Sequence, residues 1–234
     1  LDNIVGISSR QVDLTCEKSS ELLFEYLDNN TVLIVCSAIK KQLGDSLDLF
    51  NENVKIASCL AKILSVQTIK KLIYFSSTSV YGEDINNTHI SESTLTTART
   101  YYGASKIASE AVLTKVFAEH DNSQLVIIRA PLIYGHGDNT LGYGPTLFTH
   151  HAIGNIDITL WGDGEELREF IYVEDIAKIV SELVSVQFSG VLNTVSGQSY
   201  SFAMILKLLK DNDDFSFDIN QKERSKKRLV FNRC

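Results

Sequence analysis

The chain has 234 residues, of which 44% are hydrophobic and 22% charged, so it is long and apolar enough to bury a core and is not an intrinsically disordered protein. Its formal net charge of −7 argues against a nucleic-acid-binding surface, and the basic run at 222–228 is too short and too interrupted to reverse that. No apolar run approaches the length of about 20 residues that a membrane-spanning helix needs, so we expect a globular protein with no nucleic-acid or membrane partner.

Four cysteines, at positions 16, 36, 59 and 234, are spread along the chain. None has the paired spacing typical of a metal site, and Cys36 and Cys59 stand inside apolar runs, where thiols are ordinary packing residues. We therefore expect no bound metal, and free thiols in a reducing, cytoplasmic compartment.

The first part of the chain alternates short apolar runs with stretches of helical periodicity. The apolar runs predict strands at 4–7, 32–36, 72–75 and 125–128. Apolar residues three and four positions apart predict helices at 20–26, 53–67 and 102–118. Because the strands are apolar on both faces and alternate with helices, we expect an α/β fold with a doubly wound parallel sheet.

The second part of the chain has a different pattern. Glycine, asparagine, histidine and threonine are frequent at 135–149, which predicts a long loop. Alternation at 156–161, a glycine-containing turn signal and a second run at 169–173 predict a β-hairpin. Residues 174–184 predict a helix that begins with two acidic side chains, which suit the positive end of its dipole.

Three polar residues indicate a chemistry. Tyr102 and Lys106 lie four positions apart on a predicted helix, so their side chains share a face. A tyrosine titrates near pH 10, and its phenolate is useful at neutral pH only if its pKa falls by about three units, which an adjacent ammonium favours. Ser77 follows the predicted 72–75 strand, at the sheet edge where such folds bind ligands. The trio predicts a proton relay for hydride transfer at a carbinol or ketone.

Four ordered motifs cover nearly the whole chain: 75–82 (FSSTSVYG), 102–106 (YGASK), 129–135 (RAPLIYG) and 161–175 (WGDGEELREFIYVED). With these motifs the chain resembles the extended short-chain dehydrogenase/reductases, which include nucleotide-sugar epimerases, dehydratases and reductases. The resemblance implies a Rossmann-like NAD(P)-binding domain at 1–134, which carries the catalytic residues, and a substrate-binding lobe at 135–234 with segments returning to the sheet. It also implies a nucleotide-sugar substrate and a homodimer.

The resemblance assigns roles to individual residues. It implies that Tyr102 is the acid/base, that Lys106 lowers the pKa of Tyr102 and binds the nicotinamide ribose, and that Ser77 hydrogen-bonds the reacting sugar oxygen. The implied cofactor contacts are Arg10, Asp13, Leu14, Ser37, Ala38, Asn53, Lys106 and Pro131. The implied substrate contacts are Thr78, Ser79 and Arg168, of which Arg168 grips the diphosphate.

Several positions also suit a simpler role, and the sequence leaves both open. Asn53 also suits a helix N-cap, Asp13 a loop cap, and Arg168 a surface charge on the predicted hairpin. His150 falls near a position where some relatives use a histidine as an acid/base, but His150 and His151 fit better as polar residues on a helix face.

The chain departs from the family pattern at three places. Members that eliminate water carry an Asp-Glu pair where this chain has Thr78 and Ser79, and neither titrates near neutrality, so dehydration is disfavoured. Many relatives have an Asn in place of Leu132, so the sugar is not identified. Arg10 stands where NAD-preferring relatives carry an acidic residue, and a guanidinium suits a 2′-phosphate, so we expect NADP rather than NAD by a small margin.

The Gly-rich turn that receives the pyrophosphate in such folds is not in this sequence. We expect roughly 25–30 residues, with the family's first strand, turn and helix, to precede residue 1, and the 234-residue chain alone not to bind a dinucleotide. The predicted function is an NAD(P)-dependent nucleotide-sugar epimerase. The alternatives are an NADP-dependent ketoreductase similar to the fucose-nucleotide synthases, and a non-catalytic dinucleotide-binding sensor or truncated product.

Overall fold

The computed structural model describes residues 4–40, 44–82, 89–138 and 141–223. Cys234 and positions 224–228 of the basic run lie outside these ranges. Two compact units are present. The sheet unit is made of Leu1–Val80, Thr100–Arg129 and Glu182–Leu192, and the second unit of Tyr81–Arg99, Ala130–Ser181 and Asn193–Cys234. The division of roles between 1–134 and 135–234 stays a prediction.

The elements alternate along the chain. The strands are β1 (Val32–Val35), β2 (Lys71–Ser77), β3 (Gln124–Ala130), β4 (Leu132–Tyr134), β5 (Ile158–Trp161), β6 (Leu167–Tyr172), β7 (Gly190–Asn193), β8 (Ser199–Ser201) and β9 (Ile219–Lys222). The helices are α1 (Glu17–Ser20), α2 (Leu47–Val66), α3 (Tyr101–Phe117), α4 (Pro145–Ile153), α5 (Val173–Ser185) and α6 (Phe202–Lys210). Short 3-10 turns occupy Glu21–Tyr26 and Thr78–Tyr81. In the described part of the chain, no helix is long and apolar enough to cross a membrane.

The central sheet has the strand order β1-β2-β3-β7, with β1 and β2 parallel and Val32 opposite Lys71. The predicted strands at 72–75 and 125–128 lie inside β2 and β3. The expected α/β fold with a parallel sheet is therefore confirmed. β2 is buried along most of its length, as a central strand covered on both faces should be.

Helices α2 and α3 pack against each other, and α3 contacts β2. Leu60, Leu72 and Leu113 bring these elements together in a shared core in which each is fully buried. Both helices have side-chain caps: Ser46 Oγ accepts from the Leu49 amide at 3.2 Å, and Thr100 performs the same role for α3. α2 therefore begins six residues before the predicted start, and Asn53 lies inside it rather than at its N-cap.

Two predicted elements at the start of the chain are wrong or shortened. Residues 4–7 form no strand, and Ile4 and Val5 are 74% and 69% exposed. A strand needs a hydrogen-bonded neighbour, and none of the described strands pairs with this segment. Most of the helix predicted at 20–26 is the 3-10 turn Glu21–Tyr26. The single α-helical turn α1 precedes it and ends at Ser20.

The second unit corrects two more predictions. The hairpin predicted from 156–161 and 169–173 does not form, because β5 pairs with β9 in parallel, and β6 pairs with β4 and β8. The loop predicted for 135–149 ends early, since α4 begins at Pro145, a residue favoured in the first turn of a helix. The helix predicted at 174–184 is confirmed as α5. Three aromatic rings, Phe148, Phe170 and Phe202, form the centre of this unit.

Candidate active site

Ser77 lies at the carboxyl end of the central strand. It is the last residue of β2, and the 3-10 turn Thr78–Tyr81 follows directly. The turn brings the Ser79 amide back to donate a hydrogen bond to Ser77 Oγ at 3.1 Å. The Ser77 hydroxyl also lies close enough to the Tyr102 phenol to act on its pKa. Two of the three residues predicted from the sequence are therefore neighbours.

Tyr102 lies in the first turn of α3. Its amide donates to Asp45 Oδ1 at 3.1 Å, which supplies one of the unpaired N–H groups at the helix start with a partner. The side chain is half-buried. Burial raises the pKa of Tyr102, and the neighbouring Ser77 hydroxyl opposes that rise.

Lys106 follows one turn later on the same face of α3 and is 2% exposed. Its Nζ donates to the Phe75 carbonyl at 2.7 Å and to Tyr74 Oη at 3.3 Å. The same Nζ is 5.8 Å from the centroid of the Tyr102 ring. Burial lowers the pKa of Lys106 to about 8, partly offset by Glu110.

The expected lowering of the Tyr102 pKa by Lys106 is not found in this geometry. The Lys106 ammonium hydrogen-bonds Phe75 and Tyr74, both on β2, and not the Tyr102 hydroxyl. Desolvation of the phenol is then the larger effect, and the pKa of Tyr102 is raised. Lys106 and Tyr102 are neighbours, and the stabilisation of the Tyr102 phenolate by the Lys106 ammonium stays a prediction.

A buried ion pair lies further along α3 and was missed by the sequence reasoning. Arg129 on β3 makes a two-pronged contact with Glu110, at 3.1 Å from Nε to Oε1 and 2.7 Å from Nη2 to Oε2. The Ser76 hydroxyl donates to the same Glu110 carboxylate. The spacing of Glu110, four positions after Lys106, was the available signal, because it places both on one helix face.

Asn53 fixes the segment that follows β1. Its Oδ1 accepts from the Ile39 amide at 2.8 Å, and its Nδ2 donates to the Ile39 carbonyl at 3.1 Å. Ser37 and Ala38 stand in the same segment, Ser37 exposed and Ala38 half-buried. Two hydrogen bonds from Asn53 therefore hold the backbone beside Ser37 and Ala38, and the contact of these small residues with a cofactor stays a prediction.

The residues predicted to contact the adenosine end are also in the sheet unit. Arg10 is exposed, and Leu14 packs at the edge of the core. Asp13 Oδ1 accepts from the Thr15 amide at 2.8 Å and from Thr15 Oγ1 at 2.7 Å, so Asp13 caps a turn. These hydrogen bonds lower the pKa of Asp13. The cofactor roles of Arg10, Asp13 and Leu14 stay predictions.

Other predicted residues belong to the second unit. Pro131 separates β3 from β4, and Arg168 lies on β6 with its side chain 16% exposed. Arg168 Nη2 is 3.4 Å from Glu166 Oε2, so this arginine is a largely buried strand residue and not a hairpin surface charge. His150 lies in the last turn of α4. The roles of Pro131 and Arg168 stay predictions.

A cluster of metal-ligating side chains is absent from the described residues. No group of three or more His, Cys, Asp or Glu side chains there could hold a metal ion. Cys16, Cys36 and Cys59 are free thiols.

A parallel sheet with a Ser-Tyr-Lys site at the end of its central strand defines an extended short-chain dehydrogenase/reductase. Residues 2–193 match the model of the NAD dependent epimerase/dehydratase family, and the chain belongs to that family of enzymes. The predicted family and enzyme class are therefore confirmed.

Individual relatives show the range of activities in the family. The chain is 28% identical over 237 residues to a UDP-glucose 4-epimerase from Dictyostelium discoideum, covering 90% of this chain and 68% of the relative. It is 22% identical over 246 residues to a GDP-L-colitose synthase from Yersinia pseudotuberculosis, covering 96% and 80%. Among solved structures, the UDP-glucose 4-epimerase of Thermotoga maritima with UDP-glucose superposes with a TM-score of 0.78 at 19% identity, covering 94% of this chain and 74% of that one.

Proposed function

We propose that the protein is an NAD(P)-dependent nucleotide-sugar epimerase, and specifically a 4-epimerase, with Tyr102 as its acid/base. The observation that carries the proposal is the buried Lys106 ammonium 5.8 Å from the centroid of the Tyr102 ring, with the Ser77 hydroxyl beside the same phenol. A phenol, a hydroxyl and a cation in this arrangement suit proton transfer at a sugar hydroxyl. The UDP-glucose 4-epimerases among the relatives support the sugar-nucleotide class.

The chain's own residues move the proton. Ser77 Oγ holds the reacting sugar oxygen beside Tyr102 Oη, and Tyr102 as phenolate removes the proton from that oxygen. After the ketone has turned its other face to the same site, Tyr102 returns the proton. Lys106 supplies the positive charge that favours the phenolate. A nicotinamide dinucleotide, when bound, supplies the acceptor and then the donor of hydride, and Lys106 and the segment at Ser37 and Ala38 would hold its nicotinamide end.

A net ketoreductase is the second candidate. The GDP-L-colitose synthase covers 96% of this chain, and a dTDP-4-dehydro-6-deoxyglucose reductase from Escherichia coli is 28% identical over 178 residues. Both activities fit the same Ser77, Tyr102 and Lys106 relay. They differ in whether the cofactor returns to its starting oxidation state.

The cofactor preference is proposed to be NADP. Arg10 is exposed, follows two serines, and suits a 2′-phosphate better than a ribose hydroxyl. The family description and the Thermus thermophilus UDP-glucose 4-epimerase solved with NAD support NAD as the competing choice. Replacing Arg10 with Asp should raise KM for NADP more than KM for NAD; an equal change for both would contradict the preference.

The assembly and location follow the family expectation. We propose a homodimer through α2 and α3, where Leu47, Tyr101 and Val112 leave apolar surface exposed, and a cytoplasmic location. Light scattering of the natural protein tests the dimer, and a monomer mass at micromolar concentration would contradict it.

The function is tested by incubating the natural protein that carries this chain with UDP-, GDP- and dTDP-sugars, with and without NADPH. An epimerase converts a sugar nucleotide to its stereoisomer with no net change at the nicotinamide absorbance band. A reductase consumes NADPH in proportion to product. Absence of both products across the panel would contradict the proposal.

A further inference from the structure

A second tyrosine, Tyr74, contacts the Lys106 ammonium of the proposed relay. Tyr74 stands on β2, is 2% exposed, and had no role in the sequence analysis. The geometry points to Tyr74 as a positioning residue that holds the Lys106 ammonium in place through its hydroxyl oxygen. This inference rests on the proposed function, because it assigns a part of the same relay.

The contact between Tyr74 and Lys106 uses both parts of the tyrosine. Lys106 Nζ donates to Tyr74 Oη at 3.3 Å, and the same Nζ is 4.8 Å from the centroid of the Tyr74 ring. With the bond to the Phe75 carbonyl at 2.7 Å, two of the three N–H bonds of the ammonium are directed by β2. The ring face adds a cation–π attraction that is stronger in a site without water.

The hydrogen bond between Lys106 and Tyr74 has a fixed direction. An ammonium has only donors, so Tyr74 Oη is the acceptor and its own proton points away from Lys106 Nζ. Ser109 lies beside Tyr74, and its Oγ donates to the Ser105 carbonyl at 2.8 Å.

The Tyr74 hydroxyl is a neutral acceptor across the working pH range. Burial raises the pKa of Tyr74 to about 12, so the group does not ionise near neutrality. The other titratable groups that face Lys106 are Cys36 after β1, and Glu110 and Tyr102 on α3. Glu110 is already paired with Arg129. Tyr74 can thus stabilise the ammonium without cancelling the charge that Tyr102 needs.

The test is a direct titration of the Lys106 ammonium in the natural protein, without cofactor, by ¹⁵N NMR of lysine Nζ groups. Lys71 is an internal control, because it is also buried and its Nζ donates only to main-chain carbonyls, Leu183 O and Val186 O, in the contacts described. In Tyr74→Phe the Lys106 pKa should fall by about one unit, a tenfold change in its dissociation constant, with Lys71 unchanged. The exposed Tyr101→Phe should leave both lysines unchanged.

A second variant keeps the test decisive if Tyr74→Phe perturbs the core. Ser109→Ala removes another buried hydroxyl beside Tyr74 and leaves the Tyr74 oxygen in contact with Lys106, so the Lys106 pKa should stay at its natural value. A Lys106 pKa that is unchanged in Tyr74→Phe, or that falls equally in Ser109→Ala, would overturn the inference. Equal movement of Lys71 and Lys106 would show a general loss of packing and would overturn it as well.

Activity provides the second readout. With a substrate identified from the sugar-nucleotide panel, Tyr74→Phe should lower kcat about tenfold with KM unchanged, and the high-pH limb of its rate profile should move to lower pH. A rise of KM alone would contradict a positioning role. The NMR titration needs no substrate, so failure of the whole panel with a shifted Lys106 pKa would reject the proposed function and leave the Tyr74 contact standing.

Discussion

Two buried lysines contact different parts of β2, Lys71 at its first residue and Lys106 of α3 near its other end, and the two have different surroundings. At the first residue of β2, Lys71 Nζ donates to Leu183 O and Val186 O at 2.6 Å each, which closes the last turn of α5. Near the other end, Lys106 meets a carbonyl, a tyrosine hydroxyl and two aromatic rings. They are 1% and 2% exposed.

Burial of a charge therefore does not identify a functional site in this molecule. Burial lowers the pKa of both Lys71 and Lys106. The difference lies in the neighbours: main-chain carbonyls at a helix end have a structural need for donors, whereas Lys106 lies beside the phenol of Tyr102, the group proposed to transfer a proton. The predictions below separate these two ends of β2 by experiment.

The largest expected effect is on stability, at the catalytic end. Glu110→Gln leaves the Arg129 guanidinium buried beside a neutral amide, which should lower the free energy of unfolding by about 3–5 kcal/mol. Urea unfolding measures the change. The control is Glu119→Gln, a carboxylate on an exposed pair with Lys115, where little change is expected. Equal changes in the free energy of unfolding would show that the buried pair stabilises the fold no more than the exposed pair does.

Replacing each of the two lysines with methionine should show that Lys106 is needed for activity and Lys71 for stability. Lys106→Met removes the cation beside Tyr102 and should lower kcat about 10²–10³-fold, while the apolar side chain fits the buried space. Lys71→Met should leave kcat unchanged and lower the free energy of unfolding by about 1–3 kcal/mol, because the Leu183 carbonyl of α5 and the Val186 carbonyl just after it lose their donor. If the folded Lys71→Met variant lost activity, the distinction between a structural Lys71 and a catalytic Lys106 would be wrong.

The pH dependence of stability follows from the depressed pKa of Lys106. Its pKa is about 8 in the fold and 10.5 unfolded, so between these values the unfolded chain binds more protons and stability rises with pH. Below about pH 8 Lys106 is charged in both states, and the full free-energy cost of burying its ammonium applies. The difference in unfolding free energy between the natural protein and Lys106→Met should shift by about 3 kcal/mol in favour of the natural protein from pH 8 to 10.5. A flat difference would mean that the Lys106 pKa is the same in the folded and unfolded protein, so that burial does not disfavour its charge.

The smallest effect concerns the loop beside the site. Asn53→Ala removes both hydrogen bonds to Ile39 and should lower the free energy of unfolding by about 1–2 kcal/mol. Asn51→Ala, two positions earlier on the exposed side of α2, is the matched control. Hydrogen exchange at the Ile39 amide should accelerate only in Asn53→Ala; equal exchange in both variants would show that Asn53 does not hold the segment.

Local patterns predicted the sheet unit well. The β2 and β3 strands and the α3 helix follow from apolar runs and periodicity, and Tyr102 and Lys106 share a face because four residues make one turn. Ser77 followed from its place after a strand. Local patterns could not show which groups the Lys106 ammonium contacts, because its partners Tyr74 and Phe75 lie on β2, about thirty positions earlier in the chain.

The second unit was predicted less well for a related reason. A run such as Ile158–Trp161 indicates a strand but not its partner, and its partner is Ile219–Lys222, some sixty positions later. The glycines at 162 and 164 favoured a hairpin, yet the chain turns there without pairing β5 with β6. The same reason explains the error at residues 4–7 of the sheet unit, which have strand composition, because a strand forms only where a neighbour completes its hydrogen bonds.

The central claim is that Tyr102 is the group that moves the proton, and one comparison tests it most directly. Tyr102→Phe and Tyr101→Phe remove one hydroxyl each from adjacent residues of α3, the second 46% exposed. With the sugar nucleotide that the natural protein converts fastest, Tyr102→Phe should lower kcat about 10²–10⁴-fold at an unchanged melting temperature, and Tyr101→Phe should keep the natural rate. A Tyr102→Phe variant that turns over at the natural rate would contradict the relay and the function proposed from it.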